Sequence, residues 1–298
     1  MDLRVLRYFL TVAREGNISS AASRLGVTQP TLSRQLQELE SEFHIKLFNR
    51  GCRGRTLTLT EKGAILRHRA EEILLLSEKT ACELKSEECI SGNVYIGVSA
   101  GAGAALEAVG RAAAQIKAEH VHTEIVIRKN GCCALYDAVD KGTCDFVLVP
   151  EFIDMWDLQC ESVPGTKSLV EPGFYVTTAS PLAAGKHCSA EELSDFYILN
   201  GEDEREFQFF KDFLCSASSA VNNAGTYVEL DHALSLLRGA GEKYAVAGFK
   251  AQIPADLRFI SPVGTPAWSV KLCRRASSVL SPQARIFAEI LLNKKLTH

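Results

Sequence analysis

The sequence predicts an α/β protein in three parts: a small helical head, one long linking helix, and a larger body of two α/β lobes. Three observations predict this arrangement. Apolar residues recur at helical spacing through residues 18–43, with glycine, threonine and proline at the helix ends. Residues 61–89 keep a helical pattern with no proline and only Gly63, near the start. Beyond a Ser91-Gly92-Asn93 hinge, strand and helix signals alternate, which implies a mainly parallel sheet with helices on both faces.

In the head, Ile18, Ala21, Ala22 and Leu25 share one helix face, and Gly26 ends that helix in the left-handed conformation that glycine adopts without steric cost. Thr28 caps a second helix whose first turn holds Pro30, where no N–H is needed. Leu32, Leu36, Leu39 and Phe43 form its inner face. The outer face carries Pro30, Ser33, Arg34, Gln37 and Ser41, groups that suit a DNA major groove, where Arg pairs with guanine and Gln with adenine. Glu38, Glu40 and Glu42 crowd the far end and would repel phosphates, so contact is expected from the N-terminal half. Leu47-Phe48-Asn49-Arg50 then leads through the basic, glycine-containing tip Gly51-Cys52-Arg53-Gly54-Arg55 into alternating Thr56–Thr60, the pattern of a wing. Residues 1–65 carry ten Lys/Arg against six Asp/Glu, a balance of +4 in a chain of −3, leaving −7 on the remainder. A basic head on an acidic body fits binding to double-stranded DNA.

These motifs, with Leu3-Arg4-Val5-Leu6-Arg7-Tyr8-Phe9, Ala21-Ala22-Ser23-Arg24-Leu25, Thr28–Leu36 and Leu59-Thr60-Glu61-Lys62-Gly63, make residues 1–65 resemble the winged helix-turn-helix of LysR-type transcriptional regulators. By that resemblance Gln29, Pro30, Ser33 and Arg34 match groove-facing positions, and Arg53 or Arg55 the wing; Gln37 and Arg50 extend the same surface. Two departures stand out. The wing is about two residues longer than the family's, and His44 stands where the family commonly has glycine.

The long helix, with Leu66, Ala70, Ile73, Ser77 and Leu84 as an apolar seam, would span roughly 40 Å at 1.5 Å per residue and needs a partner. The resemblance implies that it pairs two subunits, giving a homodimer or homotetramer that reads an interrupted inverted repeat. RNA polymerase is a further possible partner.

In the body, strands are predicted over 94–98, 124–128, 145–149, 173–178, 197–199, 224–227 and 269–274. Helices are predicted over 104–119, 133–141, 204–215, 229–239 and 282–294. Gly142–Val149 and Ser180-Pro181-Leu182-Ala183 resemble the family's two-lobed, periplasmic-binding-protein-like effector domain. The expected organisation is a winged helix-turn-helix at 1–60 (helix-turn-helix about 18–37), a linker and dimerisation helix at 61–90, and a regulatory domain at 91–298. Lobe I comprises about 91–162 and 266–298, and lobe II about 163–265.

Ligands of open α/β sheets bind beyond the carboxyl ends of strands. That rule places a small-molecule effector at Ser99, Ala100, Gly101, Asn130, Val149, Asn200, Gly201, Glu202 and Thr226. Ser99–Gly101 precede a helix whose free N–H groups suit an anion or carbonyl. Few positive charges beyond Arg128 or Lys129 line this region, whereas Glu151, Glu202, Asp203 and Glu204 lie nearby, so the expected effector is neutral or cationic.

Composition excludes other classes. At 298 residues and 46% hydrophobic, the chain has no apolar run long enough to span a bilayer. Residues 1–4 lead straight into an amphipathic helix rather than a signal peptide, so a cytoplasmic location is expected. No phosphate loop, nucleophile elbow or H-E-x-x-H motif points to an enzyme. The ten cysteines include no C-x-x-C pair, and His120-Val121-His122 lacks partners for a metal, so neither metal nor cofactor is expected. Cys144 and Cys273 sit in apolar strand contexts and are expected to be buried hydrophobes, whereas Cys132-Cys133 abuts a predicted loop. A ligand-independent architectural DNA-binding protein is the second reading. A thiol-based redox-sensing regulator using Cys188 and Cys215 is the third.

Overall fold

The structure, a computed structural model, describes residues 1–50, 57–83, 92–119, 123–155, 157–217 and 221–295. It divides into two compact units, Met1–Ser86 and Glu87–His298.

In the first unit, helix α1 (Leu3–Glu15) starts at Asp2, whose carboxylate accepts the Arg4 N–H, and stops at Gly16 with φ +61°. Helix α2 (Ile18–Leu25) is capped by Asn17 and closed by Gly26, also left-handed. Helix α3 (Gln29–Glu42) is capped by Thr28, which accepts the Thr31 N–H, with Pro30 in the first turn. Leu32, Leu36 and Leu39 of α3 are buried with Leu6, Phe9 and Val12 of α1 and with Ala21 and Ala22 of α2. After α3 the chain turns at His44, whose φ of +52° is the left-handed geometry that glycine would supply. Strand β1 (Phe48–Arg50) pairs antiparallel with β2 (Leu57–Leu59), and the wing tip between them lies outside the described residues.

Helix α4 (Glu61–Glu83) follows Thr60, whose hydroxyl oxygen accepts the Gly63 N–H and donates to the Lys46 carbonyl. Gly63 itself passes so close to Leu47 that a Cβ would collide with the Leu47 carbonyl oxygen. Part of the flank that the sequence reserves for a second subunit has another use. Ala70 and Leu74 are buried, and Leu66 and Ile73 half-buried, in the core of the head. Ile65 and Leu76 remain exposed. Residues 84–90, the expected end of this helix, lie outside the described residues.

The second unit contains two sheets. Strand β3 (Gly92–Val98), a 3-10 turn (Ala100–Ala105), α5 (Leu106–Glu119), β4 (Thr123–Lys129), α6 (Cys132–Asp140), β5 (Phe146–Pro150) and β6 (Leu158–Ser162) come first. Then follow β7 (Pro172–Thr177), β8 (His187–Cys188), β9 (Tyr197–Gly201), α7 (Glu204–Cys215), β10 (Asn222–Tyr227), α8 (Leu230–Ala240), β11 (Tyr244–Phe249) and β12 (Leu257–Pro262). Strand β13 (Val270–Arg275) and helix α9 (Pro282–Leu292) return to the first sheet and its core. The sheet orders are β4-β3-β5-β13-β6 and β10-β9-β11-β7-β12-β8. Strand β3 runs parallel to β4 and β5, as the alternation predicts, but β13 is antiparallel to both neighbours and β7 to both of its own. One continuous apolar core joins the lobes, from Ile96, Phe146 and Leu148 to Phe174, Ile198 and Ala247.

The expectation for Cys273 is corrected. It is buried, but it faces Cys160 across the β13–β6 pair and is joined to it in a disulfide. Cys144 is a free buried cysteine, as expected. No helix among the described residues is long and apolar enough to cross a membrane.

The Gly63 contact makes the head sensitive to a single methyl group. Gly63→Ala should destabilise it by about 1–3 kcal/mol, the usual cost of overpacking. His44→Gly should leave stability unchanged or raise it by up to about 1 kcal/mol, because left-handed backbone strain is relieved. Urea unfolding followed by circular dichroism measures both, and a neutral Gly63→Ala would contradict the described contact.

Candidate functional site

Two regions are candidates for function: the outer face of α3 and a cavity between the lobes of the second unit. On α3, Gln29, Pro30, Arg34 and Gln37 are exposed and Ser33 is half-buried. The Arg34 Nε lies 2.8 Å from Glu38 Oε1, and its side chain is 79% exposed. Such an i,i+4 pair is worth only about 0.3–0.5 kcal/mol, so it orients the guanidinium without competing seriously with a phosphate or base. Glu38 also accepts from Gln35, and so organises the outer face of α3 between Arg34 and Gln35. Glu40 has turned inward, accepting from Lys46 Nζ and from the Leu47 N–H, both at 2.8 Å. Burial would raise its pKa, but these bonds and the Lys46 charge hold it below the usual carboxylate value. Gln29 accepts from the Ser19 hydroxyl at 3.0 Å, tying α3 to α2. The Arg50 side chain and all of Arg53 and Arg55 lie outside the described residues.

The cavity encloses about 950 Å³ at the carboxyl ends of β3, β4, β9, β10 and β11. Of the residues expected from the sequence, Ala100, Gly101, Asn130, Gly201 and Glu202 line it. Ser99, Val149, Asn200 and Thr226 do not line it. Strand side chains alternate between faces, so a one-residue error turns a residue away. Val149 packs under α6 with Leu135 and Val139, and Tyr227 rather than Thr226 reaches the cavity. Lys129 is on the wall, whereas Arg128 lies over the Tyr95 ring.

The donors expected to meet a ligand are occupied. Glu206 of α7, 1% exposed, accepts from Ser99 Oγ at 2.9 Å, from the Ala100 N–H at 3.1 Å and from the Gly101 N–H. Burial pushes its carboxyl up to about 7, although these donors and the Ser99 hydroxyl pull the other way. Asp203, the cap of α7, accepts the Arg205 and Glu206 N–H groups with one oxygen and the Cys132 N–H at the start of α6 with the other. Two carboxylates of lobe II thus hold backbone donors of lobe I. The Cys132 thiol is buried beside them, and burial, then the Glu206 and Asp203 charges, raise its pKa far above the ordinary thiol value. Ligand atoms of Cys132, Asp203 and Glu206 lie within 4.8 Å of one another, but the carboxylates already serve as acceptors for N–H donors. The set works as a hydrogen-bonded joint.

Known proteins resemble this chain along its length. Residues 3–64 match the family described as "Bacterial regulatory helix-turn-helix protein, lysR family". The HTH-type transcriptional regulator BsdA of Bacillus subtilis is 36% identical over 222 residues, covering 68% of this chain and 74% of BsdA. The chain belongs to the LysR family of transcriptional regulators. As a LysR-type protein it is a DNA-binding regulator and not an enzyme. Its fold agrees with crystal structures of CbnR, a LysR family regulator. The free form gives a TM-score of 0.72 and the complex with its target DNA 0.68, each at 18% identity and covering 98% of this chain, with 98% and 99% of CbnR covered respectively.

For this LysR-type chain, Glu206 is the candidate-site residue absent from the sequence expectation, and Asp203, expected only as a nearby charge, proves to be a hydrogen-bond acceptor for Cys132. The signal was present, since Asp203-Glu204-Arg205-Glu206 before an apolar run has the spacing of a capping box. Asp203 fulfils its half of the box, but Glu206 reaches across to lobe I. Among the thiols, Cys133 lines the cavity and Cys132 opens α6 from beneath it. Burial pushes the Cys188 thiol up to about 12, which leaves little thiolate for redox chemistry there. Cys52, Cys89, His120 and His122 lie outside the described residues.

The raised Glu206 pKa fixes the sign of a pH effect. A carboxyl near 7 when folded and 4.5 when unfolded binds its proton more tightly in the folded state. Its contribution is therefore fully present below the unfolded value and is lost as pH rises through 7, with a slope of at most about 1.4 kcal/mol per pH unit. Relative to Glu206→Gln, the wild type should lose stability between about pH 5 and 7. Denaturant unfolding across that range measures the difference, and a pH-independent gap would contradict a buried titrating carboxyl.

Proposed function

We propose that this regulator reads an interrupted inverted repeat in double-stranded DNA with two heads and reports the binding of a small-molecule effector in its inter-lobe cavity. The supporting observation is the position of the cavity: it opens at the carboxyl ends of strands from both lobes, where open α/β sheets receive ligands. In this reading residues 1–60 bind DNA, 61–90 pair the subunits, and 91–298 form the effector domain, with lobe I at about 91–162 and 266–298 and lobe II at about 163–265. The functional form is a homodimer or homotetramer working in the cytoplasm, with RNA polymerase as a further partner. Exposed Ile65 and Leu76 leave part of α4 available for subunit pairing.

Base contact falls to Gln29, Pro30, Ser33, Arg34 and Gln37. Phosphate contact falls to Arg50 and to the wing residues Arg53 and Arg55. Ala100, Gly101, Asn130, Gly201 and Glu202 form the effector wall, with Ser99, Val149, Asn200 and Thr226 behind or beside it. An effector changes transcription only if it prefers one arrangement of the two lobes over another.

Operator titration tests the assignment. Arg34→Ala should weaken specific binding by about 1–3 kcal/mol and relax base preference. Neutralising Arg53 and Arg55 together should weaken binding to every sequence and lower the salt slope by nearly two. Unchanged base preference in Arg34→Ala would remove that residue from the reading surface, and an effect of the wing pair on one sequence alone would make the wing a base reader.

A further inference from the structure

We propose that the inter-lobe cavity takes a ligand that joins a cationic nitrogen to an apolar body, and that it discriminates against carboxylates. The inference rests on the effector-site reading above and deepens it by naming the ligand class.

The first argument is occupancy. A carboxylate entering the cavity would need hydrogen-bond donors, and the group best placed to provide them is Ser99 Oγ with the Ala100 and Gly101 N–H groups. All three are already given to Glu206, a residue of this same chain. The Cys132 N–H, a further donor beside the wall, is given to Asp203. The protein thus carries its own carboxyl groups in the places where an anionic ligand would seat.

The second argument is charge. Five acidic residues line the cavity (Glu202, Asp203, Glu204, Glu206 and Glu229) against three basic ones (Lys129, Arg205 and Lys250). Lys129 pairs with Glu229 at 3.4 Å, and Lys250 with Glu171 at 2.7 Å. An added carboxylate would meet like charge in a partly desolvated space, whereas an ammonium group would meet opposite charge and favour the ionised form of the wall.

The third argument is the remainder of the lining. The rings of Phe207, Tyr227 and Phe249, with Leu169, Val170 and Leu230, give an apolar surface of the size an alkyl or aryl group fills. Aromatic faces also attract cations directly, through the negative face of the ring quadrupole.

The test uses the full chain and matched probes that differ only in the charged group: phenethylamine against hydrocinnamate, and butylamine against pentanoate. Titration calorimetry should show the amines binding at least about tenfold more tightly than their carboxylate counterparts. Ala104→Trp, which fills the cavity, should abolish the signal; Leu169→Trp, at an exposed position on the wall, serves the same purpose if the first variant does not fold. Carboxylates that bind as tightly as the amines, with a signal lost in the tryptophan variants, would overturn the ligand class while leaving the cavity as the effector site. If neither class binds at millimolar concentration, the ligand class is overturned. If in addition the tryptophan variants regulate a reporter as the wild type does, the effector-site reading falls with it.

Discussion

The second unit is organised around one buried carboxylate. Glu206 takes three donors from the opposite lobe, and the surrounding chain accommodates that contact. A carboxyl group removed from water is costly unless its oxygens find partners, and here they find the Ser99 hydroxyl and two backbone N–H groups that the start of a helical segment leaves unpaired. Three glycines follow from the same constraint. A Cβ on Gly101 would stand 2.9 Å from Glu206 Oε1 and 2.8 Å from the Pro150 ring. One on Gly131 would crowd the Asp203 carboxylate, and one on Gly201 would collide with the Phe207 ring. None of the three has a positive φ, so what they provide is close approach rather than unusual backbone. Phe207 and Phe210 then stack along the carboxylate's own helix with centroids 5.4 Å apart, and Phe249 meets both edge-on at 5.7 Å, which makes one side of the joint apolar.

The head follows a different logic, in which local signals suffice. Each of its first three helices begins at a side-chain cap and two end at left-handed glycines, so α1, α2 and α3 are fixed by residues within four positions of their ends. That is why the head was readable from the sequence: spacing, caps and the outer face of α3 are all short-range properties. The exceptions are matters of side-chain direction rather than spacing. Glu38 stands one helical turn from Arg34 and pairs with it, and the inward turn of Glu40 depends on Lys46 and Leu47 beyond the turn at His44.

The body was less legible for the same reason. Strands β3 and β5, with continuous apolar runs, announced themselves, but β11, an equally apolar run at Tyr244–Phe249, did not. Strand β6 did not, because Leu-Gln-Cys-Glu-Ser is half polar and lies at a sheet edge, and β13 was found as a strand without its antiparallel direction being evident. The cavity's place followed from the strand ends, but its chemistry did not. An Asp-x-x-Glu spacing predicts a local capping box, and only the fold brings Ser99 within reach of a glutamate 107 residues away. The Cys160–Cys273 pairing, 113 residues apart, is hidden in the same way.

The joint also bounds how an effector can act. Reversing a two-state equilibrium from one part in a hundred to its opposite takes about 5.5 kcal/mol of differential binding. A hydrogen bond contributes about 0.5–1.5 kcal/mol between neutral groups and about 1.5–3 kcal/mol to a charged one, so the three donors on Glu206 and the one Cys132 donor on Asp203 together reach that scale. A ligand that strengthened or displaced this set would have enough leverage to reset the placement of the lobes, whereas one touching only the exposed rim would not. The apolar core that runs continuously between the sheets resists gradual deformation, since close-packed interiors shift between discrete arrangements rather than stretch. In the proposed reading, control of lobe placement therefore concentrates where α7 meets the ends of β3 and β4, and the acidic start of that helix is the part of the body through which a bound molecule would act.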